Sequence, residues 1–127
     1  MRFPRTVIIV GALLGAAAVL LGAFGAHALR GSLDARSLAI WQTAVSYQFW
    51  HVLAAIAAAL LARDDASPSL RIAASAFVAG IVLFSGSLYA LALGAPSAIG
   101  AVTPFGGVAL VVGWIVLAIH AWRSPSR

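Results

Sequence analysis

The chain has no cysteine and no lysine, and none of its carboxylates lies in a long apolar stretch. Each absence removes a class of chemistry. Without cysteine there is no disulfide scaffold, no thiolate metal site and no cysteine nucleophile. Without lysine, a glycine-rich phosphate loop lacks its essential cation. Asp34, Asp64 and Asp65 are the only acids, and all three fall in expected loops. That disfavours a carboxylate-coupled exchanger of the four-helix multidrug-exporter kind. It also speaks against any serine–histidine–acid set.

Charge is scarce as well. Charged residues make up 9% of the 127, while 63% are hydrophobic; a typical soluble domain is about a quarter charged. Eight basic and three acidic side chains cannot coat a water-facing surface, so lipid has to cover most of the outside. The net charge is +5 and every basic residue is an arginine. Arg2, Arg5, Arg30, Arg36, Arg63, Arg71, Arg123 and Arg127 all stand outside the apolar cores. They read as membrane-edge charges and not as a phosphate-tracking stripe, so no nucleic-acid partner is expected.

The charges divide the chain into apolar stretches. A helix needs about 20 residues to cross roughly 30 Å of hydrocarbon. Thr6 to Leu29 and Ser37 to Ala62 hold one span each; Ile72 to Trp122 holds two, broken by Gly94, Pro96, Gly100 and the helix-start pair Thr103-Pro104. The expected spans are about 6–28, 42–62, 71–93 and 104–122 of one membrane domain. Long runs without alternation exclude a barrel. The predicted fold is therefore an all-α integral membrane bundle of four transmembrane helices. Six arginines on the side of the termini against two on the other predict cytoplasmic N and C termini in a plasma-membrane protein. Trp41 and Trp122 are expected at the interfaces and Trp50 in packing. A competing reading takes the start of the chain, up to Ala26-His27-Ala28, as a cleaved signal peptide, but the apolar run is of full-span length.

The first span carries Gly11, Gly15, Gly22 and Gly25, and the fourth opens with Gly106 and Gly107. Small residues let helix backbones approach closely in lipid. The first set is either a homo-oligomer seam or a contact with the chain's own next span. Polar residues collect in the outer half of the expected bilayer. Thr43, Tyr47 and His51 form one i,i+4 stripe, with Gln48 about 100° away on its flank. Ser85, Ser87 and Tyr89 lie on span three and His27 at the end of span one. His51 is expected near the midplane and His27 about 15 Å above it at 1.5 Å per residue, too far apart to share a metal ion. Tyr47 and His51 are expected to point into the bundle towards a span-three hydroxyl. His120 is expected to have only a surface role at the other interface. No metal, no cofactor and no assigned catalytic residue is expected; the expected partners are membrane lipids.

Four segments carry a resemblance. Gly22-Ala23-Phe24-Gly25-Ala26-His27-Ala28-Leu29, then Trp41-Gln42-Thr43-Ala44 with Tyr47-Gln48 and His51, then Phe84-Ser85-Gly86-Ser87-Leu88-Tyr89, and last Thr103-Pro104-Phe105-Gly106-Gly107 with Gly113-Trp114 follow in order. Together they resemble the small inner-membrane family of uncharacterised proteins that includes bacterial YgdD and YwdK. The resemblance covers nearly the whole chain. It implies a multi-pass plasma-membrane protein with an uncleaved first span. It supplies no reaction, substrate or cofactor. Three functions stay open: a non-enzymatic membrane protein whose polar cluster holds the bundle, a small transporter or lipid- or small-molecule-binding subunit using His51, Tyr47 or His27, and a membrane-embedded enzyme with Tyr47 and His51 as acid–base groups.

Overall fold

A computed structural model describes residues 2–125, so Arg127 of the charge count lies outside the described residues. The chain folds into four long helices, α1 (Phe3–His27), α2 (Ala35–Asp64), α3 (Pro68–Ala92) and α4 (Thr103–Arg123), with a short 3-10 helix at Ser97–Ala101 before α4. All four long helices are apolar and long enough to cross a membrane. The described residues contain no strand.

Local chemistry sets the ends. Pro4, Pro68 and Pro104 sit in the first turns of α1, α3 and α4, where a missing amide proton costs nothing. α2 starts seven residues before the expected span because Asp34 caps it, its Oδ1 accepting from the Ser37 amide at 2.7 Å. The extra turns make a helix of 30 residues, about 45 Å long and so longer than the hydrocarbon layer. α3 ends in a Schellman motif. Gly94 takes φ +96°, the Ala95 amide reaches the Ala90 carbonyl at 2.9 Å and the Gly94 amide reaches that of Leu91 at 3.1 Å. Glycine is required there, since any Cβ is strained at that φ. Thr103 does not cap α4 as its sequence position suggested. The 3-10 helix leads directly into α4 through a helical Val102, which frees the Thr103 hydroxyl to bond elsewhere.

α1 packs mainly on α2, α2 on α3, and α3 on α4. The inner pair carries the core: Ala54, Ala55, Ala58 and Ala59 of α2 meet Ala73, Ala74 and Phe77 of α3. The flanking helices bury little, Val7, Gly11, Ala18 and Gly25 in α1 and Gly106, Leu110 and Gly113 in α4. Glycines are what bring these flanks close. A Cβ on Gly106 would lie 2.7 Å from the Phe84 Cα, and one on Gly113 would lie 2.6 Å from the Phe77 ring. Dispersion between closely spaced backbones replaces the hydrophobic drive that lipid removes.

Candidate functional site

The residues of interest gather where α2 faces its two neighbours. Successive α2 positions on the buried side are Trp41, Ala44, Gln48, His51, Val52 and Ala55. The side chain at the centre is Gln48, 3% exposed. Its Nε2 donates to the Leu14 carbonyl of α1 at 2.8 Å, and its Oε1 accepts from the Tyr89 hydroxyl of α3 at 2.6 Å. One amide thus links three helices. One turn towards the α1–α2 loop, the Ser85 hydroxyl donates to the Ala44 carbonyl at 2.8 Å. Two turns from Gln48, the Trp41 indole donates to the Leu21 carbonyl at 2.9 Å, and its ring meets Tyr89 edge-on at 4.7 Å. α4 joins through Ser87, whose Oγ donates to the Phe84 carbonyl at 2.9 Å and lies 2.6 Å from the Thr103 hydroxyl. As Ser87 has given its proton to Phe84, Thr103 is the donor in that pair.

The expected Thr43–Tyr47–His51 stripe lies one position off this line. Thr43 is exposed and bonds back to the Ala39 carbonyl of its own helix at 3.0 Å. Tyr47 turns outward at 36% exposure, and its ring packs on Phe84 and Trp50 with centroids 4.7 and 5.3 Å away. Its hydroxyl has no hydrogen-bond partner among the described residues. His51 is buried, but its Nδ1 bonds the Tyr47 carbonyl at 2.7 Å and no span-three hydroxyl. A carbonyl only accepts, so Nδ1 carries the proton and in the neutral ring Nε2 is a bare acceptor. Tyr47, His51, Phe84, Gly107 and Trp114 border a lateral cleft of about 520 Å³ between α2 and α4. His27 is exposed at the loop end of α1 and joins none of these bonds.

The glycine face of α1 meets α2 of the same chain. A Cβ on Gly25 would be 2.6 Å from the Trp41 ring and one on Gly11 2.8 Å from Ile56; on Gly22 and Gly15 it would reach Val45 at 3.3 Å and Val52 at 3.4 Å. On α4, a Gly107 Cβ would sit 3.7 Å from the Phe84 ring, ordinary contact distance. Two tryptophan expectations are reversed. Trp41 is a core residue at 3% exposure, whereas Trp50 faces outward at 57%. Trp41 could have been found from its spacing, since it stands seven residues, two turns, before Gln48.

A second polar group escaped the sequence reading altogether. At the end of the molecule that carries the termini, the Ser69 Oγ lies 2.8 Å from His120 Nδ1, and His120 Nε2 lies 3.3 Å from Asp65 Oδ2. A serine–histidine–acid set therefore exists, because the short α2–α3 turn folds Asp65 back over the end of α4. The Ser67 hydroxyl lies 2.7 Å from that of Ser69, and the other Asp65 oxygen accepts the Ser67 amide at 3.0 Å. The set closes the turn and ties α4 to it, so His120 is more than a surface group. The described residues contain no cluster of three metal-ligating side chains.

The comparisons with known proteins agree with this architecture. Residues 21–107 match the family model described as protein of unknown function (DUF423). The membrane protein YwdK of Bacillus subtilis, of the UPF0382 group, is 43% identical over 118 residues, covering 92% of this chain and 96% of the relative. A UPF0382 membrane protein of Haemophilus influenzae is 44% identical over 115 residues, 91% of this chain and 92% of its own. One from Staphylococcus saprophyticus is 42% identical over 119 residues, 94% of this chain and 98% of its own. No solved structure matches the chain.

Proposed function

The chain belongs to the DUF423 family of membrane proteins, and from that premise we propose that it is a non-catalytic plasma-membrane protein whose interior polar groups are structural. One observation carries this reading. Among the described residues, every side-chain polar atom that is itself buried has a hydrogen-bond partner within the chain; the unpaired His51 Nε2 and Tyr47 hydroxyl open on the lateral cleft. A substrate site holds donors or acceptors in reserve for its ligand; here Gln48, Ser85, Ser87 and Trp41 spend theirs on neighbouring helices or on the backbone of their own. The termini face the cytoplasm in this proposal, since Arg2, Arg5, Arg63, Arg71, Arg123 and Arg127 share their side and only Arg30 and Arg36 the other. A reporter fused after Arg127 is expected to register cytoplasmic and one inserted at Gly94–Gly100 external; the reverse pattern overturns the orientation.

A second reading rests on the lateral cleft, where the Tyr47 hydroxyl and the His51 Nε2 border apolar walls. That arrangement would suit a small amphiphile with one polar end. His51→Ala separates the two. As a structural residue it lowers the melting temperature equally with and without added lipid extract. As a cleft residue it leaves the melt unchanged and abolishes stabilisation by the extract. Enzymatic activity has its own check at the set found on the terminal end. A fluorophosphonate reagent is expected to leave Ser69 unlabelled; labelling of Ser69 that disappears in His120→Ala would overturn the non-catalytic reading.

A further inference from the structure

On the face that carries the chain ends, a groove of about 910 Å³ is rimmed by Arg2, Arg5, Arg63 and Arg71. Three helix ends bring them together: Arg2 and Arg5 flank the start of α1, Arg63 is in the last turn of α2, and Arg71 is in the first turn of α3. None of the four has a carboxylate partner among the described residues, where the one ion pair joins His120 to Asp65. Asp64 is the single acid at the groove, so four positive charges face one negative charge. Arg71 is held in place by the Phe3 ring, with its guanidinium carbon 4.8 Å from the centroid. The groove wall below the arginines is apolar, formed by Ile8 and Ile9 one to two turns deeper along α1.

We propose that this groove binds an anionic phospholipid, its headgroup phosphate held by the four arginines and an acyl chain lying along Ile8 and Ile9. The depth fits, because the ends of membrane-spanning helices lie at the level of lipid phosphates. The chemistry fits as well, because planar guanidinium groups match phosphate oxygens in pairs. Basic pockets between helix ends are a known form of headgroup recognition. A soluble anion would use the same arginines but has no use for the apolar wall. The inference is independent of the non-catalytic reading and of which side of the membrane the termini face.

The test uses the full chain purified in nonionic detergent, with binding of a tail-labelled fluorescent phosphatidylglycerol as the signal. Unlabelled phosphatidylglycerol is expected to displace it at least about tenfold better than phosphatidylcholine. Each lost guanidinium is expected to weaken binding about fivefold, so Arg5→Gln with Arg71→Gln weakens it roughly 25-fold. Arg30→Gln with Arg36→Gln, at the opposite end, changes nothing. Circular dichroism checks that the groove variant is folded; if it is not, Arg63→Gln alone stands in, with about a fivefold loss. Equal displacement by the two lipids, or unchanged affinity in the folded groove variant, overturns the proposal. Displacement by inorganic phosphate or glycerol phosphate at the concentrations at which the lipid acts would identify a soluble phosphate ligand and overturn the lipid assignment.

Discussion

Two regions of this molecule, the polar network in the loop half and the arginine groove at the terminal face, treat polar groups in opposite ways. In the half nearest the α1–α2 loop, Gln48, Tyr89, Ser85 and Trp41 lie inside the bundle and each bonds to a neighbouring helix. At the terminal face, Arg2, Arg5, Arg63 and Arg71 surround an open groove with no carboxylate paired to them among the described residues. The first arrangement is closed on itself and adds stability. The second leaves positive charge without an ion-pair partner, and in the proposal above an anion answers it. A polar residue in a membrane protein is thus informative through what its partners leave over. Substitutions at the loop half should register in stability, and those at the terminal face in binding.

The largest expected effect tests how tightly the loop half is closed. Gly106 of α4 lies against the α3 backbone at Leu83 and Phe84. A side chain cannot push backbone aside as it can a flexible neighbour. Gly106→Val is therefore expected to cost about 3 kcal/mol or more, or to prevent folding. Thermal melts in detergent check this, and a parent-like melt would show that the helices are not packed this closely.

Gln48→Leu comes next. It removes two inter-helix bonds and leaves the Tyr89 hydroxyl without its acceptor, an expected loss of about 1–3 kcal/mol. Tyr89→Phe alone should cost about 0.6 kcal/mol, and in a double-mutant cycle the combined loss should fall short of the sum of the two. Full additivity would break the description of a connected network. Gly15→Leu presses on Val52 from an ordinary contact distance and is expected to cost about 1 kcal/mol. Particle mass measured on the same variant shows whether a second copy also uses that face: a fall in mass would mark a homo-oligomer seam.

Smaller effects belong to exposed positions. Asp34 caps α2, and the hydrogen bonds from Ser37 hold its carboxyl below the ordinary value of 3.8. A depressed carboxyl stabilises the fold above its unfolded-state value, and that contribution is lost as pH falls through the folded-state value. Asp34→Asn should therefore flatten the acid limb of a stability–pH curve below about pH 4 and change little at neutral pH. The smallest effect is expected at the terminal face. Arg63→Gln should leave the melt within about 0.5 kcal/mol of the parent, and a larger loss would mean that the arginines hold the fold together as well.

Much of this molecule could be read from the chain. Apolar runs such as Thr6 to Leu29 and the scarcity of charge specify the helical class and the count of spans, because hydrocarbon accepts only backbone that bonds to itself. The family resemblance was legible in the same way, through four ordered motifs. Helix ends were less legible. Asp34 extends α2 by seven residues, and Thr103 gives its hydroxyl to Ser87 instead of to a cap. The site was legible as a list of residues and not as an arrangement. Gln48 and Tyr89 are on that list, yet the i,i+4 stripe points to the Tyr47 flank, which borders the cleft and not the inter-helix bonds, and no local pattern gives His120 a partner.

The sequence by itself determined that four apolar helices cross a membrane with their arginines at the edges, since length, hydropathy and charge are properties of each segment alone. Tertiary structure decided which face of each helix turns inward. One residue rotates a helical position by about 100°, so the difference between an outward Tyr47 and a buried Gln48 rests on how closely the neighbours approach. The glycines of α1 and α4 set that approach, by meeting Trp41, Ile56 and Phe84 across the interfaces. The same folding carries Asp65 and Ser69 to His120, and four arginines from three helix ends to one groove, because contacts between distant segments depend on distances that no local pattern encodes.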